Sequence, residues 1–185
     1  VVKLAIDVIQ HLRIAYRWEE LDKENKAIDK AKKQGKKYTA IELENGDTPK
    51  QLLARCRYIL SKKASSWTAT QAQRAKLLFK HYPLLEKAYK HILEFRNIYE
   101  LHSKSYAEAK LLTWIDKTEK LQMKEFNTVA YTIKYNLEKI LNFFNNRNTN
   151  ANAESFNSKI KLFRANLRGV TDTQFFLFRL YKLFA

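Results

Sequence analysis

A single carboxylate, Glu154, opens a segment that continues through Asn157, Lys161, Arg164 and Arg168. An α-helix turns about 100° per residue, so positions seven apart nearly coincide and Lys161 lies about two turns above Glu154 on the same side. By the same count Asn157, Arg164 and Arg168 fall within about 80° of that line. Ala153, Phe156, Ile160, Phe163 and Leu167 form an apolar stripe on the opposite side. One face therefore offers a carboxylate near a helix N-terminus, then an amide and three cations. A carboxylate so placed can hold a divalent metal, and the cations can follow the phosphates of a bound strand. The same pattern also describes the solvated face of an ordinary core-packing helix, and on spacing alone that arrangement is the commoner one.

The wider composition favours a polyanionic partner. The chain has 185 residues and a formal net charge of +16, a field that attracts nucleic acid or an anionic membrane surface. Residues 1–47 are nearly balanced, with 10 basic against 9 acidic residues, whereas residues 48–144 carry 18 against 8. Between Asp47 and Glu86 there are eight Lys or Arg and no acid, which points to nucleic-acid contact, with a merely solubilising face as the alternative. Cys56 is the only cysteine, so no intramolecular disulfide is possible and a reducing cytoplasm is expected. No apolar run reaches transmembrane length and no signal peptide is visible, so no membrane partner is expected. Because Val1 begins inside an apolar pattern rather than with Met, the chain reads as part of something longer.

These residues need helices to position them. Only 3 Gly and 2 Pro occur, so the expected class is all-α, an irregular array of about seven to eight helices. The first covers about 1–33, with Glu19–Lys33 projecting into solvent, and a loop follows over about 34–47. Thr48-Pro49 starts a helix to about Lys62, and Thr68 with Gln71 forms a capping box for the next, to about His81. Pro83 opens a helix to about Leu101, and Ser103 or Ser105 one to about Leu121. A sixth helix carries Phe126, Val129, Ala130, Ile133, Leu137, Ile140, Leu141 and Phe144 on its buried side. After an Asn-rich break, a seventh runs from about Ala151 to Arg168 with Gly169 as its C-cap residue, and Thr171 or Asp172 caps the last.

The string from Asn150 to Arg168 resembles the last catalytic segment of insertion-sequence DDE transposases, in which a glutamate is followed seven residues later by Lys or Arg. Glu154 and Lys161 match that spacing. The closest subfamily has a large helical insertion before this glutamate and an Asn-Ala-x-x-Glu-x-x-Asn-like signature, satisfied by Asn150, Ala151, Glu154 and Asn157. Val1-Val2-Lys3-Leu4 resembles the stretch just after the second catalytic aspartate, in an Asp-x-Phe-His-Val-x-Lys pattern, which places that aspartate before Val1. Neither catalytic aspartate can be assigned within the chain, and Asp7 reads as a neighbouring or surface carboxylate.

The resemblance implies the insertion and last helices of a ribonuclease-H-like transposase domain. Residues 1–19 would follow the second aspartate, 20–145 form the insertion, and 146–185 hold the catalytic-Glu helix and the terminal helix. In the family, three carboxylates hold two divalent ions, Mg²⁺ or Mn²⁺, for in-line phosphodiester cleavage and strand transfer. Glu154 would be the helix-borne ligand. Lys161 would contact a phosphate of the transposon end, with Asn157, Arg164 and Arg168 extending the track. The chain by itself would bind no metal and be inactive. The expected partners are transposon-end and target DNA and further copies of the protein, in a nucleoid-associated setting.

Lys62 and Lys63 of the basic stretch are expected at DNA. Trp67 is a candidate for stacking on an extruded base, with a core role equally open, while Trp114, flanked by Leu111, Leu112 and Ile115, reads as a core anchor. His11, His81, His91 and His102 have no zinc-ligand spacing. The alternatives to a transposase are a non-catalytic helical nucleic-acid-binding module and a helical scaffold for an acidic protein.

Overall fold

A computed structural model describes residues 1–121, 123–147 and 151–184. Among these there are ten α-helices, one short 3-10 turn and no strand, so the all-α expectation holds. The chain forms two compact units, Val1–Phe144 and Asn145–Ala185.

In the first unit α1 (Val2–Lys33) lays Ala5, Val8 and Ile9 against α2 (Pro49–Arg55), α4 (Pro83–Ile98) and α6 (Lys124–Tyr135). It continues unbroken through residue 20, and from Glu19 onward most of its side chains are exposed. Helix α3 (Ala69–His81) begins at the expected capping box: the Thr68 hydroxyl accepts from the Gln71 amide while the Gln71 side chain accepts from the Thr68 amide. Thr48 and Gln51 do the same for α2, with Pro49 in the first turn. Helix α5 (Lys104–Lys120) starts at Ser103, whose hydroxyl accepts from the Tyr106 amide. Helix α4 is central, packing on α1, α3 and α5 and burying Leu85, Ala88, Tyr89, His91, Ile92, Phe95 and Ile98.

Two stretches depart from the sequence expectation. The helix expected to reach Lys62 stops at Arg55 and gives way to a series of turns. Side chains from elsewhere occupy the carbonyls there. Arg13 donates to Leu53 (3.0 Å), Gln10 to Arg57 (2.8 Å), Trp67 Nε1 to Ile59 (3.0 Å), Arg96 to Ser61 (3.0 Å) and the Tyr89 hydroxyl to Lys62 (2.8 Å). The turns keep Cys56, Ile59 and Leu60 buried together, as the i, i+3, i+4 spacing of these residues would in a continuous helix, so it is the donors to the carbonyls and not the apolar pattern that distinguish the turns. The expected sixth helix is divided into α6, α7 (Leu137–Leu141) and α8 (Phe143–Asn146). The first break falls at Asn136, whose φ of −109° and ψ of 21° leave the helical region and whose Nδ2 shares the Thr132 carbonyl (3.0 Å) with its own backbone amide (3.2 Å).

The loop of residues 34–47 ends in a buried anchor. Asp47 is 1% exposed and takes Asn45 Nδ2 at 2.8 Å together with an ion pair from Arg55. Arg74 Nε approaches Oδ2, the oxygen that Asn45 also bonds, to 3.4 Å, an ion pair without a hydrogen bond. Asp47 is therefore held as structure, by cations from α2 and α3.

His91 lies in the core, stacked on Trp114 (4.3 Å between centroids) and edge-on to Phe126 (5.3 Å). The Thr118 hydroxyl donates to the Trp114 carbonyl (2.8 Å), so Nε2 of His91, 2.7 Å from that hydroxyl oxygen, must be the donor between them. This defines a neutral ring protonated at Nε2, and burial pushes its pKa down to about 4. The unfolded chain takes up a proton near the ordinary value of 6.5 while the folded one does not, so stability falls as pH drops from about 6.5 to 4. The expected loss is up to about 3 kcal/mol, measured as urea-unfolding free energy against pH, and His91→Gln should flatten this slope.

Candidate functional site

The second unit is a helical hairpin. Phe163 on α9 (Ala151–Asn166) stacks on Phe176 of α10 (Thr173–Phe184) with centroids 5.6 Å apart, and Phe156 meets Phe184 edge-on at 5.8 Å. Contacts advance along one helix as they recede along the other, so the two run antiparallel. Asp172 starts α10, its Oδ1 accepting from the Phe175 amide (3.0 Å). The stripe of Ile160, Phe163 and Leu167 is half-buried, whereas Glu154, Asn157, Lys161 and Arg164 are all exposed.

Glu154 sits in the first turn of α9, where the positive end of the helix dipole favours a carboxylate. The Ser158 hydroxyl, one turn on, donates to the Glu154 carbonyl (2.8 Å) and leaves the carboxylate free to face outward. Ala151 is the first helical residue, while Asn150 lies outside the described residues.

Arg168 lies past the end of α9, which was expected to reach it. The helix ends at Asn166, and Arg168 takes a left-handed φ of 55°, followed by Gly169 at 120°. The Gly169 amide donates to the Arg164 carbonyl (3.4 Å) and that of Arg168 to Ala165 (3.0 Å), the paired bonds of a Schellman ending. The left-handed cap residue is thus Arg168, one before the glycine expected there. The helical count that put Arg168 on the Glu154 face does not extend to it.

The remaining candidates belong to the first unit. Lys62 is exposed, and Lys63 forms an ion pair with Glu100. Trp67 is half-buried, with its indole N–H on the Ile59 carbonyl and its ring stacked on Tyr89 at 5.3 Å. Trp114 is buried and donates to the His91 carbonyl (2.9 Å), a core residue as expected. Sequence reasoning missed the compensation of the basic stretch. Five of its eight cations meet acids, all drawn from outside 48–85: Lys50 with Glu24, Arg55 and Arg74 with Asp47, Lys63 with Glu100 and Lys80 with Glu44. Among the described residues no ion pair reaches Arg57, Lys62 or Lys76.

No group of three or more His, Cys, Asp or Glu that could hold a metal occurs among the described residues. A divalent ion needs about six oxygen ligands, so one exposed carboxylate is a ligand without a site. Cys56 is buried, and burial pushes its pKa up to about 12, so it stays an inert thiol. Among the described residues no helix is long and apolar enough to cross a membrane.

The site is therefore an outward carboxylate on a basic helical hairpin, joined in sequence to a basic helical unit. A family model described as Transposase, DDE_Tnp_ISL3, matches residues 1–180. The chain belongs to this transposase family. No curated protein and no solved structure matches it.

The left-handed cap makes a direct demand on residue 169. At φ 120° no neighbour crowds a Cβ, yet the backbone conformation is one that L residues rarely adopt. Gly169→Ala should cost about 1 kcal/mol through backbone strain alone, detected as faster limited proteolysis between α9 and α10 with the first unit unchanged.

Proposed function

We propose that the whole protein carries out metal-dependent phosphodiester cleavage and strand transfer in DNA transposition, with Glu154 as its helix-borne metal ligand. The observation that supports this is the exposed Glu154 in the first turn of α9, followed on the same face by Asn157 and Lys161, in a chain of a transposase family. The other carboxylates would come from a ribonuclease-H-like sheet outside this chain, with residues 1–19 following the second of them, 20–145 inserted, and 146–185 returning to the catalytic face. When bound, Mg²⁺ or Mn²⁺ supplies Lewis-acid activation and charge neutralisation at the phosphate. The role of this chain is to present a carboxylate from a helix stiffened by its apolar packing on α10, and to hold DNA phosphates beside it with Lys161 and Arg164.

Arg168 would reach DNA from the turn after α9 rather than along its face. Lys62 is the better placed of the two insertion lysines, since Lys63 is already engaged by Glu100. For Trp67 we propose packing rather than base stacking, because its N–H and one ring face are committed to Ile59 and Tyr89. The partners are transposon-end and target DNA and a second copy of the protein, since two ends must be joined.

In the full-length protein, Glu154→Gln should abolish strand cleavage while leaving end binding within about twofold, because a neutral amide keeps the size but not the charge that a divalent ion requires. Surviving cleavage would remove Glu154 from the metal site. Phosphate contacts also have a salt signature. Lys161→Ala with Arg164→Ala should reduce the slope of log affinity against log salt by about 2 on duplex DNA. Neutralising Lys50 and Lys80, already paired with Glu24 and Glu44, should change it much less.

A further inference from the structure

Tyr131 and Tyr135 are 70% and 77% exposed although they belong to a helix whose other face is buried through Phe126, Val129, Ala130 and Ile133. One turn apart on α6, their rings are nearly parallel, at 12°, with centroids 6.3 Å apart. Lys124, Asn127 and Lys134, all exposed, lie within about 60° of Tyr131 by the helical count. Beside the Tyr131 ring a groove of about 450 Å³ is lined by Ile115, Glu119, Asn127, Ala130 and Lys134. Within the first unit this face combines wide, parallel aromatic surfaces with cations that no ion pair among the described residues engages. Two aromatic faces held open to water forgo burial that would otherwise favour an inward position.

We propose that this face of α6 is a stacking platform for unpaired nucleotides of DNA. Successive bases lie on Tyr131 and Tyr135, Lys124 and Lys134 hold the adjoining phosphates, and the groove receives the edge of a base against the Asn127 amide and the Glu119 carboxylate. The occupant is a single strand because bases in a duplex cover one another's faces, and only an unpaired base can offer its ring to a tyrosine. A duplex would engage the lysines alone and leave the rings unused. The proposal rests on DNA being the partner, and it adds a form of DNA and a location outside the Glu154 face.

The test is fluorescence anisotropy with the full chain and a labelled oligothymidylate, compared with a duplex of equal length. Tyr131→Ala and Tyr135→Ala should each weaken single-strand binding roughly 5- to 100-fold, with duplex affinity and the salt slope unchanged. Tyr131→Phe and Tyr135→Phe should retain wild-type affinity, and Lys134→Ala should lower the single-strand salt slope by about 0.7. As a second measurement, an oligonucleotide carrying 5-iodouracil should photocrosslink to Tyr131 or Tyr135 in the unaltered chain. The proposal is overturned by unchanged single-strand affinity in the double alanine variant, by an equal loss on duplex DNA, or by crosslinks that avoid α6. None of these readouts depends on cleavage, so an active Glu154→Gln protein would refute the metal assignment and leave this one standing.

Discussion

The first unit depends on who satisfies the backbone carbonyls of residues 53–62. An α-helix would bond them internally. Here Arg13, Gln10, Trp67, Arg96 and Tyr89, reaching in from α1, the turn before α3 and α4, bond the carbonyls of 53, 57, 59, 61 and 62, while those of 54, 56 and 58 keep backbone partners. Each buried carbonyl must find a donor, and once those donors come from three other elements the stretch can no longer straighten into helix. The turns that result carry Cys56, Ile59 and Leu60 into the core. They also tie α1 to α4, around which the remaining helices of the unit are packed. Removing Arg13 would leave the Leu53 carbonyl short of a donor where water cannot easily replace it.

Charge is redistributed by the same folding. In sequence, residues 48–85 are a basic block without acids. In space, Glu24, Glu44, Asp47 and Glu100 neutralise much of it. The pairs at Glu44 and Glu100 are exposed and contribute little to stability, but all of them matter for recognition, because a paired cation presents a weaker field to a phosphate. The cations left open are Arg57, Lys62 and Lys76 within the block, together with those on the outer face of α6 and along α9. A local excess of basic residues is thus a poor guide to where a polyanion docks.

The second unit has a simpler logic. Packing of Phe156 and Phe163 against Phe184 and Phe176 sets the rotation of α9 about its axis, and that rotation sends Glu154, Asn157 and Lys161 outward together. A helix is well suited to hold a metal-binding carboxylate, because its rise and twist fix where the next charged group falls. Membership of the transposase family is the ground on which we propose a metal-binding role for this outward carboxylate. Geometry alone would leave it one exposed acid among many.

The sequence by itself determined the helical class, the capping at Thr48 and Thr68, a cap at Ser103 or Ser105, the apolar and charged faces of α9, and Trp114 as a core anchor. All of these follow from spacing within one helix or from side chains bonding their own backbone, interactions that a local reading contains. Glu154 was legible because its face is written in positions 154, 157 and 161 of a single element. What only the tertiary structure decided came from residues distant in sequence: the unwinding of 56–62, the neutralised basic block, the buried Asp47, the inward-tied Trp67 and the ring of His91 held neutral against Thr118. The breaks at Asn136 and Arg168 belong there too, since an Asn inside a helix, or an Arg before a Gly, can serve either continuation or ending. Their outcome depends on which carbonyls find donors and which apolar faces must turn inward, and no local spacing specifies that.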